Sequence, residues 1–334
     1  MTVRIGVIGT GSIGSDHIRR LSSQVSGSSV EALFDIDANR ARSLASSVGA
    51  IAYNGPTDVI ESPSVDAVLI ATPGETHAEL TRACIEAGKP VLCEKPLAPT
   101  TEECHTILDA EVAHGTRLVQ VGFMRRYDSE YQAVKRTIDD GGIGETLLLH
   151  CIHRNASAPR SFTSAMSFTD SVIHEIDISR WLIHEELVAA TVVAVRHSPL
   201  APENLRDPQL VLLESASGIV IEVEVFVNCQ YGYDVRCEVV GAHGVASLDN
   251  PTGVTTTRSG VGAREVPPDW KVRFGAAYLE ELQYWVDGLD QGVVIGPSAW
   301  DGYCATAVAE CCVRSLRSGL RETVNLPVRP ELYR

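Results

Sequence analysis

Over residues 1 to 123, short aliphatic runs alternate with segments of helical spacing. RIGVIG, VEALFD, VDAVLIAT, PVLCEK and RLVQVGF read as strands. Between them, IGSDHIRRLSSQV, ANRARSLASSV, THAELTRACIEAG and TTEECHTILDAEVAHG have apolar spacing and terminal residues that suit helices. Strands and helices in strict alternation predict a doubly wound parallel sheet.

After residue 124 the pattern changes. A helix is expected near 128 to 140, then a strand in TLLLHCIHR, then a helix holding DSVIHEID. ELVAATVVAVRH, QLVLLESA, GIVIEVEVFVNC, YDVRCEVVGA and GVASL follow as strands separated by Gly, Asn, Pro and Ser rather than by long helices. This predicts an α+β domain with a large, mainly antiparallel sheet covered by helices on one face. AAYLEELQYWVDGL and SAWDGYCATAVAECCVRSL read as C-terminal helices, and SPLAPENLRDP at 198 to 208 is the most loop-like stretch. The expected division is a nucleotide-binding domain over 1–123 and a substrate-binding and oligomerisation domain over 124–334.

Candidate chemistry begins in GVIGTGSIG, which places Gly9, Gly11 and Gly14 between a strand and a helix. The first glycine permits the tight turn, the second lets backbone approach a pyrophosphate, and the third lets helix pack on strand. Ser12 and Ile13 open that helix, whose amides face the anion. Asp35 ends the second strand 21 residues after Gly14, where a carboxylate accepts ribose hydroxyls and repels a 2′-phosphate. NAD is therefore the expected cofactor; the nearest cation after Asp35 is Arg40. Ile36, Thr72, Pro73, His77, Glu94 and Lys95, at or just beyond carboxyl ends of expected strands, complete the expected cofactor set.

In DSVIHEID, Asp170 and His174 stand four residues apart, on one face if the segment is an α-helix. The aliphatic neighbours imply burial. On its own such a pair is most often structural. Asp170, His174, Glu175 and Asp177 also offer metal-ligand chemistry, but no HExxH occurs, and His150 and His153 fall on opposite faces of a strand, so no metal is expected.

Glu94, Lys95 and Pro96 form an EKP motif. With it, the chain resembles the glucose-fructose oxidoreductase and inositol dehydrogenase (Gfo/Idh/MocA) superfamily along essentially its whole length. VQVGFMRRYDSEY, HCIHRN, HEID, VNCQYGYDVRCEVVG and GPSAWDGY are similar to strings of the bacterial myo-inositol 2-dehydrogenases. The resemblance implies a catalytic group of Lys95, Asp170 and His174. It also implies a polyol pocket lined or ordered by Arg125, His153, Asn155, Asp177 and Tyr233. The implied reaction is NAD-dependent oxidation of a cyclic polyol, myo-inositol to 2-keto-myo-inositol, in a homotetramer. Another inositol isomer, a pyranose sugar or an NAD-dependent glycosidase activity is the alternative, and a cofactor-sensing binding protein is the non-enzymatic one. One departure is Pro73, where the inositol enzymes carry Trp; the change bears on substrate choice.

Composition removes other classes. The net charge of −15 and the lack of a basic cluster interleaved with aromatics argue against nucleic acid and acidic membrane surfaces as partners. No signal-peptide pattern opens the sequence and no apolar run is long enough to span a bilayer, so a cytoplasmic location is expected. Nine cysteines, odd in number and without a CxxC pair, fit reduced thiols.

Overall fold

The computed structural model describes residues 2–248 and 255–334, and divides the chain into two compact units. The first comprises the segments through Met124, Tyr278–Thr306 and Leu326–Arg334; the second comprises Arg125–Ala277 and Ala307–Asn325.

In the first unit the chain runs β1 (Val3–Ile8), α1 (Ser12–Ser23), β2 (Ser28–Phe34), α2 (Ala38–Val48), β3 (Ile51–Ala52), α3 (Pro56–Glu61), β4 (Ala67–Ile70), α4 (His77–Glu86), β5 (Val91–Glu94), α5 (Thr101–His114) and β6 (Val119–Gly122). Among the described residues these six strands form a parallel sheet ordered β3-β2-β1-β4-β5-β6, as the alternation predicts. Every residue of β4, β5 and β6 is buried, which is why these strands read as unbroken apolar runs. Asp37 caps α2 by accepting from the amides of Asn39 and Arg40, and Thr100 caps α5 through the Glu103 amide. Left-handed Gly49 and Gly115 end the same two helices. The short β3 and α3 were not expected from the sequence: two residues and six residues carry too little periodicity.

The second unit holds α6 (Ser129–Asp139), β7 (Thr146–Arg154), a π-helical turn at Ser167–Val172, α7 (Ile173–Ile183), β8 (Leu187–Val193), β9 (Gln209–Ser215), β10 (Val220–Phe226), β11 (Asp234–Gly241) and β12 (Val245–Leu248). An exposed hairpin of β13 (Thr256–Arg258) and β14 (Val261–Ala263) and the short α8 (Trp270–Arg273) follow. α9 (Gly275–Asp290) and α10 (Ala299–Ser318) cross between the two sets of residues, and β15 (Glu322–Thr323) returns to the second. Among the described residues the large sheet is ordered β12-β11-β7-β10-β9-β8-β15, antiparallel at every pairing but β7 with β10. On β9 and β10, Val211, Leu213, Ile221, Val223 and Val225 point into the core. The opposite face carries polar and ionic pairs: His150 Nδ1 lies 2.5 Å from Glu222, and Arg154 Nε donates to Glu224 at 2.6 Å.

The extents differ from the expected division at 123/124. Tyr278–Thr306 and Leu326–Arg334 belong with the first unit. Leu282, Trp285 and Val286 of α9 join the core formed by Val3, Ile5, Val7, Ile18 and Leu21. Near the C-terminus, Tyr333 Oη donates to Glu111 at 2.6 Å, and the other Glu111 oxygen takes the amides of Leu118 and Val119. An apolar helix face reveals that it is buried, not which sheet buries it. Among the described residues no helix is long and apolar enough to cross a membrane, and all nine cysteines are buried free thiols.

Candidate active site

In the first unit the turn after β1 has Gly9 at φ +96°, and a Cβ there would lie 2.5 Å from the Ala71 carbonyl oxygen. A Cβ on Gly14 would lie 2.1 Å from the Gly9 carbonyl oxygen, so helix and strand meet backbone to backbone. A Cβ on Gly11 would meet nothing within 4 Å. Open space therefore adjoins the N-terminus of α1, where Gly11 provides no side-chain cap and Ser12 is exposed. Unclaimed amides beside open space fit a dinucleotide pyrophosphate. Ile13 is half-buried behind them, packed on the core.

Asp35, immediately after β2, is buried and accepts four hydrogen bonds. Thr10 gives its amide at 2.6 Å and hydroxyl at 2.8 Å to Oδ2; the Asp37 amide at 2.8 Å and Arg40 Nη2 at 2.7 Å reach Oδ1. Burial works to raise its pKa, but these donors hold the carboxyl below the usual range. Beside it in the chain Ile36 is 93% exposed, an apolar side chain left open to a ligand.

His77 is placed differently from its expected role as a cofactor contact. Its ring is buried, with Nδ1 2.7 Å from the Pro96 carbonyl oxygen and Nε2 2.9 Å from that of Thr72. It ties the loop after β4, where Pro73 is exposed, to the loop carrying Lys95. Glu94 is likewise a buried support. Its Oε1 is 2.7 Å from Nε2 of His17 on α1, and its Oε2 accepts the Lys95 amide at 3.2 Å. Lys95 itself is half-buried and precedes a cis peptide to Pro96. Nothing in the sequence singled out His17, which lies 77 positions from its partner.

In the second unit His174 stands on the first turn of α7 and is buried; Asp170, in the π-helical turn before it, is exposed. The expected α-helix over 170–174 is corrected by this turn: the two residues lie on successive turns of different pitch. π-Helical insertions of this kind recur at functional sites. The ring centroid of His174 is 6.5 Å from that of His153, at the end of β7. His153 Nδ1 is 2.9 and 3.1 Å from the Glu175 oxygens and 3.2 Å from Arg125 Nη2, so a proton on Nδ1 is directed at the carboxylate. Tyr233 meets the His153 ring edge-on at 5.9 Å and Phe274 at 6.1 Å. Burial pushes the Tyr233 phenol up.

Arg125 does not present an open guanidinium. It is buried, ion-paired with Glu175, and lies 5.4 Å over the Phe274 ring. Burial would raise Glu175, yet the charges of Arg125 and then His153 hold its carboxyl below the ordinary value. Glu175 is thus the hub of this cluster, within the DSVIHEID motif but outside the expected site. Asp177 is buried and gripped by Arg126, Nε at 3.0 Å and Nη2 at 2.5 Å, so the second arginine of MRRYD has a defined partner as well. Asn155 has its backbone tied to Phe226 and Cys229, and its buried Oδ1 finds no hydrogen-bond partner among the described residues. An acceptor held in this way suits a ligand hydroxyl.

Two family models match the chain: an oxidoreductase family with an NAD-binding Rossmann fold over residues 3–123, and the C-terminal alpha/beta domain of that family over 135–326. Inositol 2-dehydrogenase 3 of Saccharopolyspora erythraea is 52% identical over 100% of this chain and 98% of its own. Inositol 2-dehydrogenase of Burkholderia ambifaria is 50% identical over the full length of both. Among solved structures, myo-inositol dehydrogenase from Lactobacillus casei in complex with NAD(H) and myo-inositol has a TM-score of 0.97 at 35% identity, covering both chains completely. The glycine turn with open space at Gly11, the anchored Asp35 and these full-length matches have one meaning: the chain belongs to the Gfo/Idh/MocA family of NAD-binding oxidoreductases.

Proposed function

We propose that the chain oxidises a secondary hydroxyl of a cyclic polyol, with myo-inositol giving 2-keto-myo-inositol as the first substrate. The observation that carries this is the full-length likeness, at TM-score 0.97, to a protein solved with NAD(H) and myo-inositol. Every ring carbon of inositol bears a hydroxyl, so recognition requires several oriented donors and acceptors. His153, Asn155 and Tyr233 offer them, with Arg125 and Asp177 ordering the surrounding cluster through Glu175 and Arg126.

Bound NAD+ supplies the hydride acceptor. Of the chain's own residues, Lys95, Asp170 and His174 form the proposed catalytic group. His174 takes the hydroxyl proton, Asp170 favours the imidazolium that results, and the Lys95 ammonium stabilises alkoxide character. Gly9, Gly11, Ser12, Ile13, Gly14, Asp35, Ile36, Thr72, Pro73, His77, Glu94 and Lys95 form or support the cofactor side. Residues 1–123 are the proposed nucleotide-binding domain and the large sheet of 124–334 the substrate domain. The charged outer face of that sheet is the proposed contact of a homotetramer, working in the cytoplasm.

The test is NADH formation at 340 nm with NAD+ and myo-, scyllo- and chiro-inositol or glucose, beside His174→Ala. Turnover of myo-inositol that falls by about 10²- to 10⁴-fold in the variant is the expected result. Activity on glucose alone overturns the substrate, and no NADH from any polyol overturns the reaction.

A further inference from the structure

Asp35 would by itself exclude a 2′-phosphate, since a buried carboxylate at the adenosine ribose repels it. In this chain the carboxylate is not by itself. Arg40, five residues after Asp35 in the first turn of α2, folds back so that Nη2 is 2.7 Å from Asp35 Oδ1 and Nε 3.2 Å from Thr10 Oγ1. The pair offsets the Asp35 charge and leaves the half-exposed Asp37 carboxylate, 3.8 Å from Arg40 Nη1, as the remaining negative group. Its members also differ in freedom: the Asp35 side chain is 5% exposed and the Arg40 side chain 45%.

The bonds to Asp35 decide which of its oxygens can serve a nucleotide. Oδ2 is locked by the Thr10 amide and hydroxyl, both on the glycine turn itself. Oδ1 takes the Asp37 amide and Arg40 Nη2. A carboxylate oxygen has two lone pairs, so a ribose hydroxyl reaching Oδ1 competes directly with Arg40. The Asp37 amide is fixed at the start of α2 and cannot yield; the half-exposed arginine can. Once displaced, the guanidinium stands beside the ribose with its planar fork of donors open. Beside a bare 2′-hydroxyl it has lost an ion pair, whereas a 2′-phosphate offers charge-assisted, bidentate bonds in exchange.

We propose that Arg40 is a specificity-determining residue that makes this chain tolerant of NADP(H), so that its preference between the two nucleotides is set by the Asp35–Arg40 pair and not by Asp35 alone. The inference rests on the assignment of the Gly9-to-Asp35 region as the adenosine end of the cofactor site.

The experiment is a pair of binding titrations, NADH and NADPH, followed by nucleotide fluorescence on the full chain without polyol, for wild type, Arg40→Ala and Arg40→Lys. NADPH binds the wild type measurably, and the ratio of the NADPH to the NADH dissociation constant rises about tenfold in Arg40→Ala, the scale of one charge-assisted hydrogen bond. Arg40→Lys, which keeps the charge without the fork, falls between. A wild type that binds NADH but not NADPH, or a ratio that is unchanged or lower in Arg40→Ala, overturns the role of Arg40. Failure of the wild type to bind NADH overturns instead the assignment of the site.

Discussion

The buried ring of His77 makes a demand that one neutral imidazole cannot meet. Both of its nitrogens face backbone carbonyl oxygens, Pro96 at 2.7 Å and Thr72 at 2.9 Å, and carbonyls only accept. Two donors are needed, and the imidazolium form supplies both. Burial alone would lower its pKa; the Cys93 sulfur and the two carbonyls outweigh that and raise it from 6.5 to about 9. Because the folded value lies above the unfolded one, the stabilisation is complete below about 6.5, declines as the pH rises, and is gone above about 9. At about 1.4 kcal/mol per pH unit this amounts to ~3 kcal/mol. Urea unfolding at pH 6, 7.5 and 9.5 should therefore show the wild type losing stability on this scale relative to His77→Gln, whose side chain does not titrate. NADH affinity should weaken over the same interval, because the loops joined by His77 carry Thr72, Pro73 and Lys95. A His77 ring that titrates near 6.5 by NMR, or parallel pH profiles for the two proteins, would refute the reasoning.

Other perturbations separate structural from ligand-facing roles. Gly14→Ala forces a Cβ to within 2.1 Å of a backbone oxygen and should cost on the order of 1–3 kcal/mol in thermal unfolding; Gly11→Ala, with open space around it, should keep its melting temperature and lose NADH affinity. Equal melting temperatures for the two would contradict the close approach at Gly14. Glu175→Ala strands the buried Arg125 charge, with an expected loss of about 3–5 kcal/mol in urea unfolding. As the Glu175 pKa is depressed, its contribution should be whole above the ordinary glutamate value and fade as the pH falls below it. Asp207 is the opposite case: burial, against the amides of Val227 and Asn228, raises it from 3.8 to about 6. The wild type should then lose stability as the pH rises through 6, and Asp207→Asn should be the more stable protein at pH 8 by about 2–3 kcal/mol while matching the wild type near pH 4. An asparagine variant less stable at pH 8 would count against the strain assigned to that carboxylate.

What could be read along the chain was local. Unbroken aliphatic runs marked strands buried on both faces, and alternation in VIEVEVF marked a sheet with one core face; both patterns follow from side-chain direction within a few residues. Gly9, Gly11, Gly14 and Asp35 were legible for the same reason, since a nucleotide turn is built from neighbours. Packing over long separations left no such trace. The sequence could not tell that α9 completes the core beneath β1, or that the segment before His174 widens into a π-helical turn.

The site divides along the same line. Residue types and spacing determined a nucleotide-binding half and a second half rich in His, Asp and Arg, and resemblance supplied their expected roles. Tertiary structure alone decided the partners: Arg125 with Glu175, Asp177 with Arg126, Glu94 with His17, and His77 between two carbonyls. A buried polar group must be satisfied, but the group that satisfies it depends on which strands and helices the fold makes neighbours, and that is not a property of any short stretch of chain.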